Sequence, residues 1–197
     1  MELEEVLELF KRHEAFLEGH FLLTSGLHSP HYFQCARVLQ HPRVAERLGL
    51  ALAGKLSGAL GGKTPDVVIS PAVGGLIIGH ELGRSLGCRA VFVERVDGEM
   101  RLRRFELEPG EKAVVVEDVV TTGGSLMETV RLAEDAGCGV VGIGCLIDRS
   151  GGIDFSPALT SLARVEAVTY PPEDCPLCKQ GLTLVKPGSR QTPGKES

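Results

Sequence analysis

Four short runs constrain this chain most: Val67-Val-Ile69, Ala90-Val-Phe-Val93, Ala113-Val-Val-Val116 and the stretch Gly139 to Ile147. Each is continuously apolar, or nearly so, rather than alternating. A strand of that kind has to be covered on both faces, which antiparallel surface sheets do not require. Between the runs lie segments with helical patterning, Gly75 to Leu86 and Ser125 to Ala136, the latter stopped by Gly137. A further strand is predicted over Ala163 to Thr169, and Asp97-Gly98 between Val96 and Met100 marks a hairpin turn. Strands and helices in alternation predict an α/β fold, an open and mostly parallel sheet with helices on both faces.

The first residues do not fit that alternation. Glu2 to Leu17 carries apolar residues at helical spacing (Leu3, Val6, Leu7, Phe10, Phe16). Residues 19–33 hold β-formers broken by Gly26 and Pro30, which predicts short strands around a turn. Pro42 is placed to open a second helix, running to about Leu60. The expected organisation is a small N-terminal subdomain over residues 1–40, an α/β core over 41–185 and a loosely held Pro/Gly-rich tail over 186–197.

With 43% hydrophobic residues, the chain has enough apolar surface for a packed core. No apolar run reaches the roughly 18–20 residues that span a bilayer, and the acidic start Met1-Glu-Leu-Glu-Glu lacks a signal-peptide pattern. A soluble, cytoplasmic protein with no membrane partner is expected. The net charge of −5 argues against a nucleic-acid partner but leaves room for a local anion site.

The sharpest motif is Ala113-Val-Val-Val-Glu-Asp-Val-Val-Thr-Thr-Gly-Gly-Ser125. A buried strand runs into two acids, and a Thr/Gly/Ser turn then opens a helix. Such a turn aims several backbone N–H groups and the positive helix end at one anion, with hydroxyls from Thr121, Thr122 and Ser125. The spacing is neither that of a Walker loop nor that of a Rossmann glycine fingerprint. Acids beside a bound phosphate repel it unless they face hydroxyls or a metal. A sugar phosphate meets that condition, with its phosphate in the turn and its diol on Glu117 and Asp118; the plainer alternative is that the acids cap a strand end.

This segment resembles the phosphoribosyl-pyrophosphate (PRPP) signature of the type I phosphoribosyltransferases. The resemblance implies that Glu117 and Asp118 bind the ribose hydroxyls. It further implies that Thr121, Thr122, Gly123, Gly124 and Ser125 hold the 5′-phosphate, with Val119 and Val120 also among the PRPP-binding residues. Mg²⁺ would be bound mainly through PRPP and pyrophosphate, with no dedicated protein metal site.

Further segments resemble the orotate phosphoribosyltransferases. Residues 21–33 look like that family's base-covering hood, placing Thr24, Tyr32 and Phe33 at the orotate ring, with Thr24 where the family commonly has a lysine. Ser70-Pro-Ala-Val-Gly-Gly75 is similar to its pyrophosphate loop, assigning PRPP contacts to Ala72, Val73 and Gly74; many relatives have a lysine in place of Gly74. Glu94 to Arg104 resembles the mobile catalytic loop. The catalytic set implied is Arg95, Arg101, Arg103, Arg104 and Asp118, with Arg95 also on PRPP. Arg149, in Leu146-Ile-Asp-Arg149, matches the arginine that recognises the orotate carboxylate, with Thr121 also beside the base. From the residues alone, Tyr32 and Phe33 also fit ordinary core, and Arg149 a surface ion pair.

The resemblance implies transfer of ribose 5-phosphate from PRPP to orotate, giving orotidine 5′-monophosphate and pyrophosphate in pyrimidine (UMP) biosynthesis. It implies a homodimer that exchanges the loop across its interface. Two other readings are a phosphoribosyltransferase for another base and a non-catalytic PRPP-sensing regulator. The six cysteines suit reduced thiols better than a disulfide framework. Cys175-Pro-Leu-Cys178 has metal-ligand spacing, but the sequence shows no second pair near it, and His20, His28, His31 and His41 are scattered; no zinc site is expected.

Overall fold

The computed structural model describes residues 1–23 and 25–187; Thr24 and the tail from 188 onward lie outside the described residues. A two-stranded antiparallel hairpin, β1 (Phe16–Leu22) and β2 (His28–Phe33), sits beside a six-stranded sheet. That sheet is built from β3 (Val67–Pro71), β4 (Arg89–Val96), β5 (Glu99–Arg101), β6 (Lys112–Val120), β7 (Gly139–Asp148) and β8 (Leu159–Arg164). Its order is β5-β4-β3-β6-β7-β8, parallel throughout except for β5 against β4.

The helices cover both faces, as the apolar runs require. Val68, Val114 and Val116 face one core together with α1 (Leu3–Arg12), the short α2 (Cys35–Leu39), α3 (Pro42–Ala59) and α4 (Gly75–Leu86). Val67, Ile69, Ala113 and Val115 face the opposite core with α5 (Gly124–Asp135). Gly142 and Gly144 on β7 let α3 press close: a methyl group added there would lie 3.0 Å from Leu60 and 3.2 Å from Leu56. The Asp97-Gly98 turn has both residues at positive φ, 52° and 89°, which suits a tight hairpin and joins β4 to β5.

Several predicted boundaries move. The first helix ends at Arg12, not Leu17. Glu14 takes φ 51°, the chain reverses, and Phe16 enters β1 to stack on Phe33 with ring centroids 4.7 Å apart. Phe16 fits the helical pattern equally well; its cross-strand partner decides the matter. The helix α2 was not anticipated. The last strand is Leu159–Arg164 rather than Ala163 to Thr169: after Arg164 the chain leaves the sheet and turns to the hairpin, where Tyr170 bridges His28. The strand β6 does not stop before the acids but continues to Val120, with Glu117 opposite Cys145 and Val119 opposite Ile147 on β7.

Candidate active site

The chain runs from β3 outward to β4, then returns to place β6 on the other side of β3. The strand order therefore reverses between β3 and β6. In open α/β sheets ligands bind at such a switch point, beyond the carboxyl ends of the strands. Residues 72–74 follow β3 here, and Glu117, Asp118 and the 121–125 turn occupy the same end of β6.

The two groups are in close contact. A Cβ on Gly74 would lie 2.6 Å from Asp118 Oδ1. The missing side chain at position 74, where the resemblance has a lysine, makes room for that carboxylate. Ala72 and Val73 are joined by a cis peptide bond, and Val73 is exposed. Burial, with the adjacent Asp118 charge, pushes Glu117 up to about 8. Burial also raises Asp118, opposed by backbone N–H groups and by the Cys35 thiol, which donates to its carboxylate. Two adjacent half-buried carboxyls that resist joint ionisation are suited to hydroxyl donors or a cation.

The turn after β6 is shaped for an anion. Gly123 has φ 74°, and a Cβ there would meet the Phe155 ring at 2.5 Å, so glycine is required by both backbone and packing. Thr122 Oγ1 accepts from Gly124 N at 3.4 Å. The first turn of α5 holds no acid, which leaves the positive helix end uncompensated.

Next to the turn is a cavity of about 540 Å³. Tyr32 and Phe33 come from the hairpin, Val119, Thr121 and Thr122 from the end of β6, and Arg149 from the end of β7. The structure thus brings together six residues singled out from sequence. Leu22, Leu23 and Leu27 close one side; Ala167, Thr169, Lys186 and Pro187 close another. Arg149 is 7% exposed, and its Nε and Nη2 are buried with no hydrogen-bond acceptor among the described residues. Its guanidinium carbon lies 5.4 Å from the Phe33 ring centroid, and burial lowers its pKa. A guanidinium remains charged under such a shift, so the cavity carries an unanswered cation with two unpaired donor nitrogens. Tyr32 is raised by burial and by Asp118, which keeps its hydroxyl protonated.

The loop arginines are placed differently. Within one chain Arg95 binds Glu128 on α5 and the Gly98 carbonyl. Arg101 pairs with Glu99 and Arg104 with Glu94. Arg103 and Arg104 line a separate hollow with Arg89 and Glu111. Thr24 lies outside the described residues.

Three contributors escaped the sequence reading. Cys35 carries no signal beyond apolar surroundings, yet it contacts Asp118. Asp148, 1% exposed, accepts from Ser150 N, Ser150 Oγ and Arg164 Nε at 2.9, 2.6 and 2.8 Å, which fixes the turn that carries Arg149. An acid two residues before a serine at a strand end was a legible cue. The cysteine pair was set aside for want of nearby ligands; the fold brings His20 and His28 to it.

Comparison with known proteins agrees with this geometry. The phosphoribosyl transferase domain family matches residues 35–161. An orotate phosphoribosyltransferase of Heliobacterium modesticaldum is 52% identical over 192 residues, 96% of this chain and all of that one. That of Caldanaerobacter subterraneus subsp. tengcongensis is 49% identical over 193 residues, 97% of this chain and all of its own. The crystal structure of orotate phosphoribosyltransferase from Aeropyrum pernix superposes with a TM-score of 0.68 at 26% identity, covering 81% of this chain and 93% of that one. A fold that places an acid pair, an anion turn and a buried arginine around one switch point, matched end to end at about half identity, places the chain in the orotate phosphoribosyltransferase family.

Proposed function

We propose that this chain transfers ribose 5-phosphate from PRPP to orotate, releasing pyrophosphate and forming orotidine 5′-monophosphate for pyrimidine biosynthesis. The observation that carries the reading is Arg149: a buried guanidinium with two unpaired donor nitrogens, in the same cavity as the phosphate turn. A planar base bearing a carboxylate answers it in both shape and charge. Phe33 and Tyr32 supply the ring contacts.

The geometry supports a division of labour. The 121–125 turn holds the 5′-phosphate, and Glu117 and Asp118 grip the ribose diol, where the negative charge that the pair carries favours the cation that develops on the ring. Residues 72–74 receive the diphosphate through backbone groups. Glu117 and Asp118 are the oxygen donors that would meet a Mg²⁺ ion carried on the diphosphate, and the ion would supply charge neutralisation for the leaving group. Arg149 and the aromatic pair fix the base with its nitrogen directed at the anomeric carbon. Catalysis is then mainly positioning and charge stabilisation. Arg95, Arg101, Arg103 and Arg104 act on the pyrophosphate once the 94–104 loop leaves its own acids, and in a homodimer it reaches the neighbouring site. A cytoplasmic setting suits the free thiols.

Loss of orotate absorbance with PRPP and Mg²⁺, beside runs with uracil, hypoxanthine and xanthine, tests the proposal. Turnover of orotate alone is expected. Turnover of a base without a carboxylate would overturn the Arg149 assignment, and PRPP binding without turnover of any base would favour a regulator.

A further inference from the structure

Away from the phosphate turn, four side chains converge that the transferase chemistry does not use. His20 comes from β1, His28 from β2, and Cys175 and Cys178 from the short helix α6 (Pro176–Lys179) and the residue before it. Their ligating atoms all lie within 4.8 Å of one another. His20 Nε2 is 2.9 Å from His28 Nδ1, 3.6 Å from Cys175 Sγ and 3.7 Å from Cys178 Sγ; Cys178 Sγ is 3.4 Å from His28 Nδ1. A tetrahedral zinc ion with ordinary bond lengths puts its nitrogen and sulfur ligands about 3.6 Å apart. These three N···S separations bracket that value, the N···N pair needs to open by a few tenths of an ångström, and the remaining pairs lie within 4.8 Å.

The surroundings are those of a ligand set. His20, His28 and Cys175 are buried. The other ring nitrogen of His20, Nδ1, lies 2.8 Å from the carbonyl oxygen of Leu182. As a donor there, it leaves the Nε2 lone pair aimed at the two sulfurs, the outer-shell arrangement that orients metal-bound histidines. Among residues 171–187, Cys175 is the single fully buried side chain. That segment nevertheless follows a defined path, exchanging backbone bonds with His20 and Leu22 through Val185. It has almost no apolar burial of its own to hold it there.

We propose that His20, His28, Cys175 and Cys178 form a closed Cys₂His₂ site for a structural zinc ion, which fastens the C-terminal segment to the hairpin. Binding converts both thiols to thiolates and releases two protons to water. Four protein ligands leave no open position, so the ion does no chemistry on substrate. Its effect on the site is mechanical: the segment that it fastens carries Lys186 and Pro187, and the hairpin carries Leu22 and Leu23, all of which line the base cavity.

The test uses the full chain, purified under reducing conditions with Zn²⁺ in the growth medium. Elemental analysis should find about one zinc per chain. Replacement by Co²⁺ should produce thiolate-to-cobalt charge transfer and the visible bands of a tetrahedral centre. Cys178 is exposed, so Cys178→Ser should fold, and it should lose the metal together with the sensitivity of the melting temperature to a chelator. A reduced wild-type chain that takes up neither Zn²⁺ nor Co²⁺ would overturn the proposal. So would Cys178→Ser retaining a full equivalent with an unchanged cobalt spectrum. None of these readouts uses activity, so the metal site and the proposed reaction can fail separately.

Discussion

The inner strands of the sheet bury apolar side chains on both faces, whereas the junction between the hairpin and residues 170–187 buries His20, His28, Ser29 and Cys175. The sheet is held by non-directional contacts among many interchangeable partners. The junction is held by directional contacts among a few, some of them more than 150 residues apart in the chain. The cavity that holds Arg149 lies where the two regions meet, its floor from the ends of β6 and β7 and its rim from the hairpin and residues 167–187. Rigid strands set the position of charge at Arg149, and the rim adds mainly apolar side chains, Leu22, Leu23 and Leu27 among them.

Arg149 should give the largest effect, because it belongs to the sheet by position but not by energetics. Arg149→Ala should lower kcat/KM for orotate roughly a thousandfold, since a site built around a charged partner loses most of its discrimination without it. The KM for PRPP should hardly change. Thermal stability should hold or rise, because the substitution removes a buried, unpaired guanidinium. Steady-state kinetics on each substrate and a melting curve decide this; equal losses for both substrates would refute the assignment.

The next pair of substitutions compares the two regions directly. Leu56 is fully buried on α3 and packs over β7 at Gly144. Leu56→Ala should cost about 2–5 kcal/mol in urea unfolding. In the junction, Ser29 is fully buried with its Oγ 2.9 Å from the carbonyl oxygens of both His31 and Val168. Ser29→Ala should cost less, about 1–3 kcal/mol. The reverse order would mean that directional contacts dominate the fold.

The same division explains what could be read in advance. Continuous apolar runs made the parallel sheet visible, because their need for two covers is local information. The acid pair and the Thr/Gly/Ser turn were visible because strand, acids, turn and helix are contiguous. The end of the first helix was not, because Phe16 suits a helix face and a strand equally until Phe33 is known to stand opposite. The strand expected at Ala163 to Thr169 failed for a similar reason: Val168 and Thr169 have strand character but serve the hairpin instead. The Cys/His cluster lay beyond any local pattern, since no spacing in the chain relates His20 to Cys175. The Asp118–Cys35 contact likewise depends on tertiary placement alone.

Glu117 gives a smaller effect, seen against pH. Its folded pKa, about 8, lies above the ordinary carboxyl value, so between about pH 4.5 and 8 the folded state binds more protons than the unfolded state. Its contribution to stability is therefore fully present below the ordinary value and is lost as pH rises through about 8. Melting temperatures across that window should fall in the ligand-free protein, and Glu117→Gln should flatten the decline. An equally steep decline in the variant would assign the titration to another group.

The smallest stability effect is expected just after the hairpin of β4 and β5, at an exposed ion pair outside either region's core. Arg104 pairs with Glu94 at 3.0 Å on an exposed surface. Such pairs contribute little, so Arg104→Ala should change unfolding free energy by no more than about 0.5 kcal/mol. If the loop's arginines serve the leaving pyrophosphate, the same variant should still lose roughly tenfold in kcat, because a charge that is well solvated at rest is worth far more in a closed, water-poor site. Measured together, the two quantities separate a solvated surface pair from a catalytic cation held in reserve. Loss of stability without loss of turnover would place Arg104 in the fold rather than in the reaction.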